Sequence, residues 1–327
     1  MAGWFLGAGI LLLLVGGEAA VRGGVGLARA ISMPPLLIGL FVISLATAAP
    51  ELFVALRATA TGAPDIALGG IIGTVLVNLL LVLGLGALIR PMSSPPKVVL
   101  RDGGAMVVAA LAVWFFAAGE AISRIDGLLL LLGFAAYVTV TYFTDWRRSP
   151  DHSVAQGCAL ARMQGEPTHE VAGLFLLLLG LILLGLGAHF TVAGAVSLAH
   201  ALNIKEAFVG LTIIALGVSL PKLIATLVAT ARGHTDLAAG CLIGASVVDL
   251  LFVLGVVATV APLTVSPVFA LIDVSVMAAA SVVLLPLLAM RWRLSRPRGF
   301  MLLAAYACYV AFLAWRQGLI SPAMLGL

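Results

Sequence analysis

The sequence is short of charge. Only 10% of its 327 residues are Asp, Glu, Lys or Arg, while 62% are hydrophobic and the mean hydropathy is +1.20. Water-soluble domains carry about a quarter charged residues, so a soluble globular protein is excluded and an integral membrane protein remains. Cysteine is scarce as well. Cys158, Cys241 and Cys308 have no metal-ligand spacing, and two of them fall in apolar runs, so no disulfide framework is indicated. The N-terminus lacks the basic region of a cleaved signal peptide, so its apolar run reads as a first membrane helix. No EF-hand, P-loop or dinucleotide fingerprint occurs, which argues against an ATP-driven pump and against a bound cofactor. The net charge of +4 does not point to nucleic acid, because the basic residues sit between the apolar runs.

What the chain has in abundance is long apolar runs, near 3–27, 34–58, 65–89, 99–118, 125–145, 170–200, 206–230, 236–260, 267–290 and 300–319. They are continuously apolar rather than alternating with period 2, so they predict ten transmembrane helices and not a barrel. The expected fold class is an all-α membrane protein. Loops after odd-numbered runs hold Arg22, Arg29, Arg90, Lys97, Arg101, Arg147, Arg148, Arg162, Arg232, Arg291, Arg293, Arg296 and Arg298. The opposite side holds only Arg124, Lys205 and Arg316. This bias puts the odd loops in the cytoplasm and both termini outside, in a multi-pass protein of the cell inner (plasma) membrane.

One segment appears twice, at a constant offset that carries Gly39 onto Gly210. Between Gly39–Pro91 and Gly210–Pro262, 24 of 53 positions are identical, including Pro50/Pro221, Gly62/Gly233, Asp65/Asp236, Gly69/Gly240, Gly73/Gly244 and Gly84/Gly255. The duplication reaches back into runs one and six, where Gly16 onward parallels Gly187 onward. The polar stretch around residues 146–169 separates a first half (1–145) from a second (170–327), each with five runs. Five is odd, so the halves are expected to cross the membrane in opposite directions, as an inverted repeat whose equivalent segments meet near the midplane.

Within each copy a proline interrupts the second helix. Pro50 and Pro221 lack an N–H, which frees the carbonyls of Ala46 and Gly217 at membrane depth. Thr47 and Glu51 flank the first proline on one helix face, and Ser219 and Lys222 flank the second. In the next helix Thr74 and Asn78 share a face, and their counterparts are Ala245 and Asp249. Ionisable residues inside a membrane are costly, so Glu51, Lys222 and Asp249 read as functional; the glycine pairs read as close helix packing.

These repeats resemble the α-repeats of the calcium/cation antiporter superfamily, whose pattern runs roughly G-T-S-x-P-E, a short loop, then G-x-x-x-G-S-N-x-x-N/D and a final glycine. The chain has ATAAPE at 46–51 and GVSLPK at 217–222, followed by GGIIGTVLVNLLLVLG and GCLIGASVVDLLFVLG. The resemblance covers all ten runs. It implies a secondary antiporter of inorganic cations (calcium, sodium or protons) working by alternating access in the lipid bilayer, and no enzymatic activity. It further implies ion ligands at Thr47, Glu51, Thr74, Asn78, Ser219 and Asp249, with Glu51 and Asp249 as the metal-binding carboxylates and the backbone carbonyls of Ser44 and Ala215 as sodium ligands. The oligomeric state is left open.

The departures from that pattern bear on the cargo. Lys222 stands where the resemblance places a second calcium-binding glutamate, Val218 replaces a threonine, and Ala48 and Ala245 replace serines. Calcium takes six to eight hard oxygen ligands, several of them carboxylate. With Glu51, Asp249 and Lys222 ionised the site carries a net charge of −1, whereas glutamate at 222 would make it −3. Three mechanisms stay open: Lys222 as a tethered surrogate cation beside a moving monovalent ion or proton, Lys222 itself exchanging a proton, or a locked ion pair in a chain that no longer moves cations. Glu18 is a further proton-coupling candidate, although pairing with Arg22 is the competing reading. Asp65 and Asp236 read as helix caps. Ser219-Leu-Pro-Lys222 also matches S-x-x-K, the spacing of a serine activated by a lysine, which keeps an intramembrane hydrolase in view.

Overall fold

The computed structural model describes residues 2–30, 42, 44–93, 96, 99–146, 170–231, 233, 235–290 and 293–317. Ten helices follow one another among them. They are α1 (Ala2–Ala30), α2 (Ser44–Ala60), α3 (Pro64–Ile89), α4 (Val99–Ala117), α5 (Arg124–Trp146), α6 (Glu170–Leu202) and α7 (Glu206–Ala231). The series continues with α8, which runs from Thr235–Val248 through to Leu254–Val260, then α9 (Phe269–Ala289) and α10 (Arg296–Arg316). Nine of the described helices are long and apolar enough to cross a membrane. Of the run expected at 34–58, α2 is the described part; most of its first half, and residues 147–169 of the expected linker, lie outside the described residues. The other runs match their helices to within a few residues.

Burial sorts the helices. The most apolar stretch of α3 is 94% buried and that of α8 72%, against 28–44% for the other membrane-length helices, so these two form the centre of the bundle. Each central helix is entered through a tight turn after α2 or α7. Gly62 (φ +78°) and Gly233 (φ +94°) hold those turns in the left-handed region that glycine occupies without strain.

Contacts repeat across the two halves. Four two-residue strands pair antiparallel as Met92–Ser93 with Arg293–Leu294 and Ala121–Ile122 with Leu263–Thr264. The offset of the sequence repeat carries Met92–Ser93 onto Leu263–Thr264, and it carries Ala121–Ile122 to within a single position of Arg293–Leu294. The two strand pairs are therefore counterparts. Gly84 of α3 lies against the Gly299 carbonyl of α10, and its counterpart Gly255 of α8 lies against the Gly127 carbonyl of α5.

At the edge of the bundle α1 and α6 pack antiparallel along a glycine ladder of heptad spacing, Gly9, Gly16 and Gly23 on one helix and Gly173, Gly180, Gly187 and Gly194 on the other. A methyl group on Gly180 would lie 2.5 Å from the Ala20 amide nitrogen and 2.8 Å from the Gly16 carbonyl oxygen. Both neighbours are backbone and cannot rotate away, so the helices touch this closely only because no side chain intervenes. Gly180→Ala is expected to destabilise the protein by about 1–3 kcal/mol, read as a lower midpoint of unfolding in mixed detergent. Gly3→Ala should be silent, because nothing lies within 4 Å of its position.

Asp65 lies in the first turn of α3, but the N-cap is Ala63 and no side-chain cap bond forms. Asp65 therefore acts there only as a negative charge near the helix dipole, which corrects the cap reading. The Asp236 side chain is outside the described residues. Arg101, expected in a loop, belongs to the first turn of α4.

Candidate functional site

Four helices, α2, α3, α7 and α8, bring their polar side chains together in one buried cluster. Lys222 of α7 reaches between two carboxylates. Its Nζ lies 2.8 Å from Glu51 Oε1 of α2 and 3.2 Å from Asp249 Oδ2 of α8. Asn78 of α3 donates from Nδ2 to the same Asp249 oxygen at 3.4 Å. Glu51, Asn78 and Asp249 are buried, and the Lys222 side chain is only 10% exposed. The ammonium thus occupies the space between the two acidic groups.

Other oxygens around this triad are left over. Glu51 Oε2, Thr74 Oγ1, Asn78 Oδ1 and Ser219 Oγ are all buried without a hydrogen-bond partner. An unpaired buried polar atom costs about 1–3 kcal/mol, so four around one ion triad form a site suited to a ligand that supplies positive charge or protons. Neutral and hard, three of them suit a small hard cation. Among the described residues no group of three or more His, Cys, Asp or Glu side chains is arranged to hold a metal ion.

Local backbone geometry aims these groups. The central helices loosen into π-helical turns at Val77–Val82 and Asp249–Val253, so Asn78 and Asp249 each sit at the start of a wider turn. Such turns shift a side chain's direction relative to a regular helix and frequently mark functional positions. Pro50 and Pro221 lie inside α2 and α7, immediately before Glu51 and Lys222.

Two spaces reach the triad. A cavity of about 590 Å³, open space included, reaches Lys222 and Asp249 and is bounded by Ser44, Thr47 and Ala48 of α2, Gly244 of α8, and Phe134 and Tyr137 of α5. A smaller space, about 210 Å³ with open space included, reaches Glu51 between the apolar side chains of Ile66, Ile71, Ile214 and Val218. A Cβ on Gly73 would lie 2.6 Å from the Leu211 carbonyl oxygen and 2.7 Å from Ala215 Cβ, so α3 is pressed onto α7. Its counterpart Gly244 would meet only the Tyr137 hydroxyl, at 3.8 Å.

The expected site residues therefore divide. Glu51, Lys222, Asp249 and Asn78 come together, with Thr74 and Ser219 beside them as unpaired oxygens. Thr47 and Ser44 line the cavity, where the Thr47 hydroxyl donates to the Ser44 carbonyl at 3.0 Å. Ala215 is buried against Gly73. Glu18 is held by Arg22 at 2.6 Å on a half-exposed face of α1. Arg57, near the end of α2, meets His189 of α6 at 2.9 Å. The S-x-x-K reading fails on geometry, because the Ser219 hydroxyl has no hydrogen-bond partner and the lysine amine is engaged by the two carboxylates.

The sequence reading missed Asp102 and Asp273, both fully buried and both in π-helical turns, at Val99–Gly103 of α4 and Phe269–Val274 of α9. They are separated by the same offset as Pro50 and Pro221, and that spacing was the signal that could have found them.

Comparison with known proteins rests on the same features. The family model for the sodium/calcium exchanger protein matches residues 1–143 and 172–315. The chain belongs to the sodium/calcium exchanger family. The putative antiporter CaxA of Alkalimonas amylolytica is 33% identical over 93% of this chain and 96% of its own length. The inner membrane protein YrbG of Escherichia coli K12 is 30% identical over 94% and 95%. A solved structure of the exchanger NCX_Mj, soaked with sodium and strontium, superimposes with TM-score 0.62 and 29% identity over 95% of this chain and 97% of that one. This member of the family has an ammonium group between two buried carboxylates.

Proposed function

We propose that the chain is a secondary cation antiporter of ten spans, in which Lys222 serves as a tethered surrogate cation and the cargo is a monovalent cation or a proton. The observation that carries this reading is the position of Lys222 Nζ between Glu51 and Asp249, surrounded by four unpaired oxygens. The ammonium leaves the triad with a net charge of −1, which one monovalent cation or one proton neutralises. A divalent ion at the same place would face the fixed positive charge, and two unit charges about 4 Å apart interact by roughly 4 kcal/mol at an effective dielectric of 20.

In this reading residues 1–145 and 170–327 form two five-span halves of opposite direction, joined by a cytoplasmic linker at 146–169, with both termini outside. The strand and glycine contacts that exchange under the offset of the sequence repeat support that arrangement. Its cavity, on the side where α2 and α8 begin, opens to the cytoplasm, and the closed packing of Gly69 and Gly73 against α7 seals the other side. Exchange of the open and closed halves is alternating access. The printed names of CaxA as a putative antiporter, YrbG as an inner membrane protein and NCX_Mj as a sodium-calcium exchanger support the transport class and an inner-membrane location.

The test is ion flux in proteoliposomes for sodium, potassium, protons and calcium. The expected result is exchange of monovalent cations or protons, abolished by Glu51→Gln, which removes the charge that holds both Lys222 and the cargo. A Glu51→Gln protein that keeps its flux, or a parent that moves no ion, would overturn the proposal.

A further inference from the structure

The larger cavity is lined by two hydroxyl groups whose protons are already committed. Tyr137 of α5 donates its hydroxyl to Asp102 Oδ1 of α4 at 3.3 Å, and Thr47 of α2 donates to the Ser44 carbonyl at 3.0 Å. A hydroxyl has one proton and two lone pairs, so each oxygen can meet the cavity only as an acceptor. The Asp102 carboxylate is fully buried and is gripped by Arg101 at 2.7 and 3.2 Å, which fixes it as the target of the tyrosine proton.

Both oxygens lie about one helical turn from the triad, on the same side of it. The cavity is bounded by residues that precede Glu51 on α2 and Asp249 on α8. The Tyr137 oxygen stands over Gly244, 3.8 Å from where a Cβ would be. Gly244 precedes Asp249 by five residues, about 7.5 Å along the helix, and Thr47 precedes Glu51 by four, about 6 Å. The two hydroxyls therefore share one level of the cavity, with Lys222 and Asp249 beyond them. The equivalent positions of the other half are apolar or closed. The offset of the repeat carries Thr47 onto Val218 and Gly244 onto Gly73. Val218 lines the smaller space beside isoleucines, and Gly73 is pressed against Leu211 and Ala215.

We infer that Tyr137 and Thr47 form a loading site for a monovalent cation, one turn short of Lys222. The site presupposes the antiporter reading, whose cargo it holds first. Neutral oxygens of this kind replace part of the hydration shell of sodium or potassium, and cavity water completes it. Calcium takes several carboxylates, and the carboxylates nearby are engaged, Asp102 by Arg101 and Asp249 by Lys222 and Asn78. An anion would meet only acceptors at these two groups. The net charge of −1 on the triad draws a cation inward, and the Lys222 ammonium is the last barrier it meets.

Cys241 lines the same cavity and reports whether it is occupied. In a C158S/C308S background, labelling of Cys241 by methyl methanethiosulfonate, small and uncharged, is timed in sodium, potassium or N-methylglucamine chloride at constant ionic strength. Sodium or potassium is expected to slow labelling in a saturable way that N-methylglucamine does not reproduce. Tyr137→Phe should raise the half-protecting concentration about fivefold, the scale of one contact of ordinary hydrogen-bond strength, and Thr47→Val should act in the same direction. Tyr309→Phe, which removes the buried bond from Tyr309 to Asp273, controls for general loosening and should leave it within about twofold. No protection by either cation, or equal shifts from Tyr137→Phe and Tyr309→Phe, would overturn the loading site. Flux is measured separately. Protection without transport of any ion sinks the antiporter reading and leaves the site, whereas transport without protection sinks the site and leaves the reading.

Discussion

Replacing Lys222 by glutamate is expected to create calcium transport where the parent has little, raising calcium flux by at least about a hundredfold in proteoliposomes, a change of about 2.7 kcal/mol. The substitution removes the ammonium that lies 2.8 Å from Glu51 and 3.2 Å from Asp249 and puts a carboxylate in its place. The triad charge goes from −1 to −3, and up to two hard oxygens are added to those of Glu51, Thr74, Asn78 and Ser219 that already lack partners. Each unit of charge change is worth roughly 4 kcal/mol at about 4 Å and an effective dielectric of 20, so a hundredfold gain is a conservative expectation after the cost of desolvating the ion. Binding can be checked independently of flux. Without calcium the variant buries three acidic groups and should be less stable than the parent; added calcium should raise its unfolding temperature, because a ligand that binds only the folded state stabilises it. The parent's unfolding temperature should not respond. A parent that exchanges calcium as fast as the variant would remove the surrogate-cation argument altogether.

The second large effect concerns stability. Lys222→Met keeps the length of the side chain and deletes its charge, leaving Glu51 and Asp249 facing each other at 2% and 1% side-chain exposure. Breaking a buried ion pair by removing one partner typically costs about 3–5 kcal/mol, because the surviving charge stays buried without compensation. Lys222→Met should fall in that range, measured by unfolding in mixed detergent. The double variant Lys222→Met/Glu51→Gln should recover part of the loss, since one of the two uncompensated charges is gone. The two substitutions share a contact, so their effects are expected to be far from additive. If Lys222→Met is as stable as the parent, the ammonium is not holding the carboxylates together and the triad is not the organising feature of the site.

Much of the fold was legible because membrane helices announce themselves by length and hydropathy. The run at 65–89 became α3 and the run at 125–145 became α5 with ends shifted by a residue. The repeat was legible because duplication leaves identical residues at a fixed spacing, and that spacing singled out Glu51, Lys222, Asn78 and Asp249. Partners distant in the chain were not legible. The Glu18–Arg22 pair follows from a four-residue spacing, but nothing in the chain says that Glu51 meets a lysine from the other half. Asp102 and Asp273 escaped notice because each lies near the end of an apolar run, where an acidic residue ordinarily faces water. The π-helical turns carry no periodicity signal, because they depend on how neighbouring helices press on the chain.

By itself the sequence determined a membrane-embedded, duplicated helical protein with one carboxylate exchanged for a lysine, since hydropathy, repeat spacing and charge are local properties of the chain. Only the tertiary structure decided that the lysine lies between two carboxylates, that four oxygens around them are unpaired and that a cavity reaches them. Those are distances between helices far apart in sequence, set by where glycines such as Gly73 and Gly180 allow backbones to close and where Tyr137 stands opposite a glycine that nothing else fills.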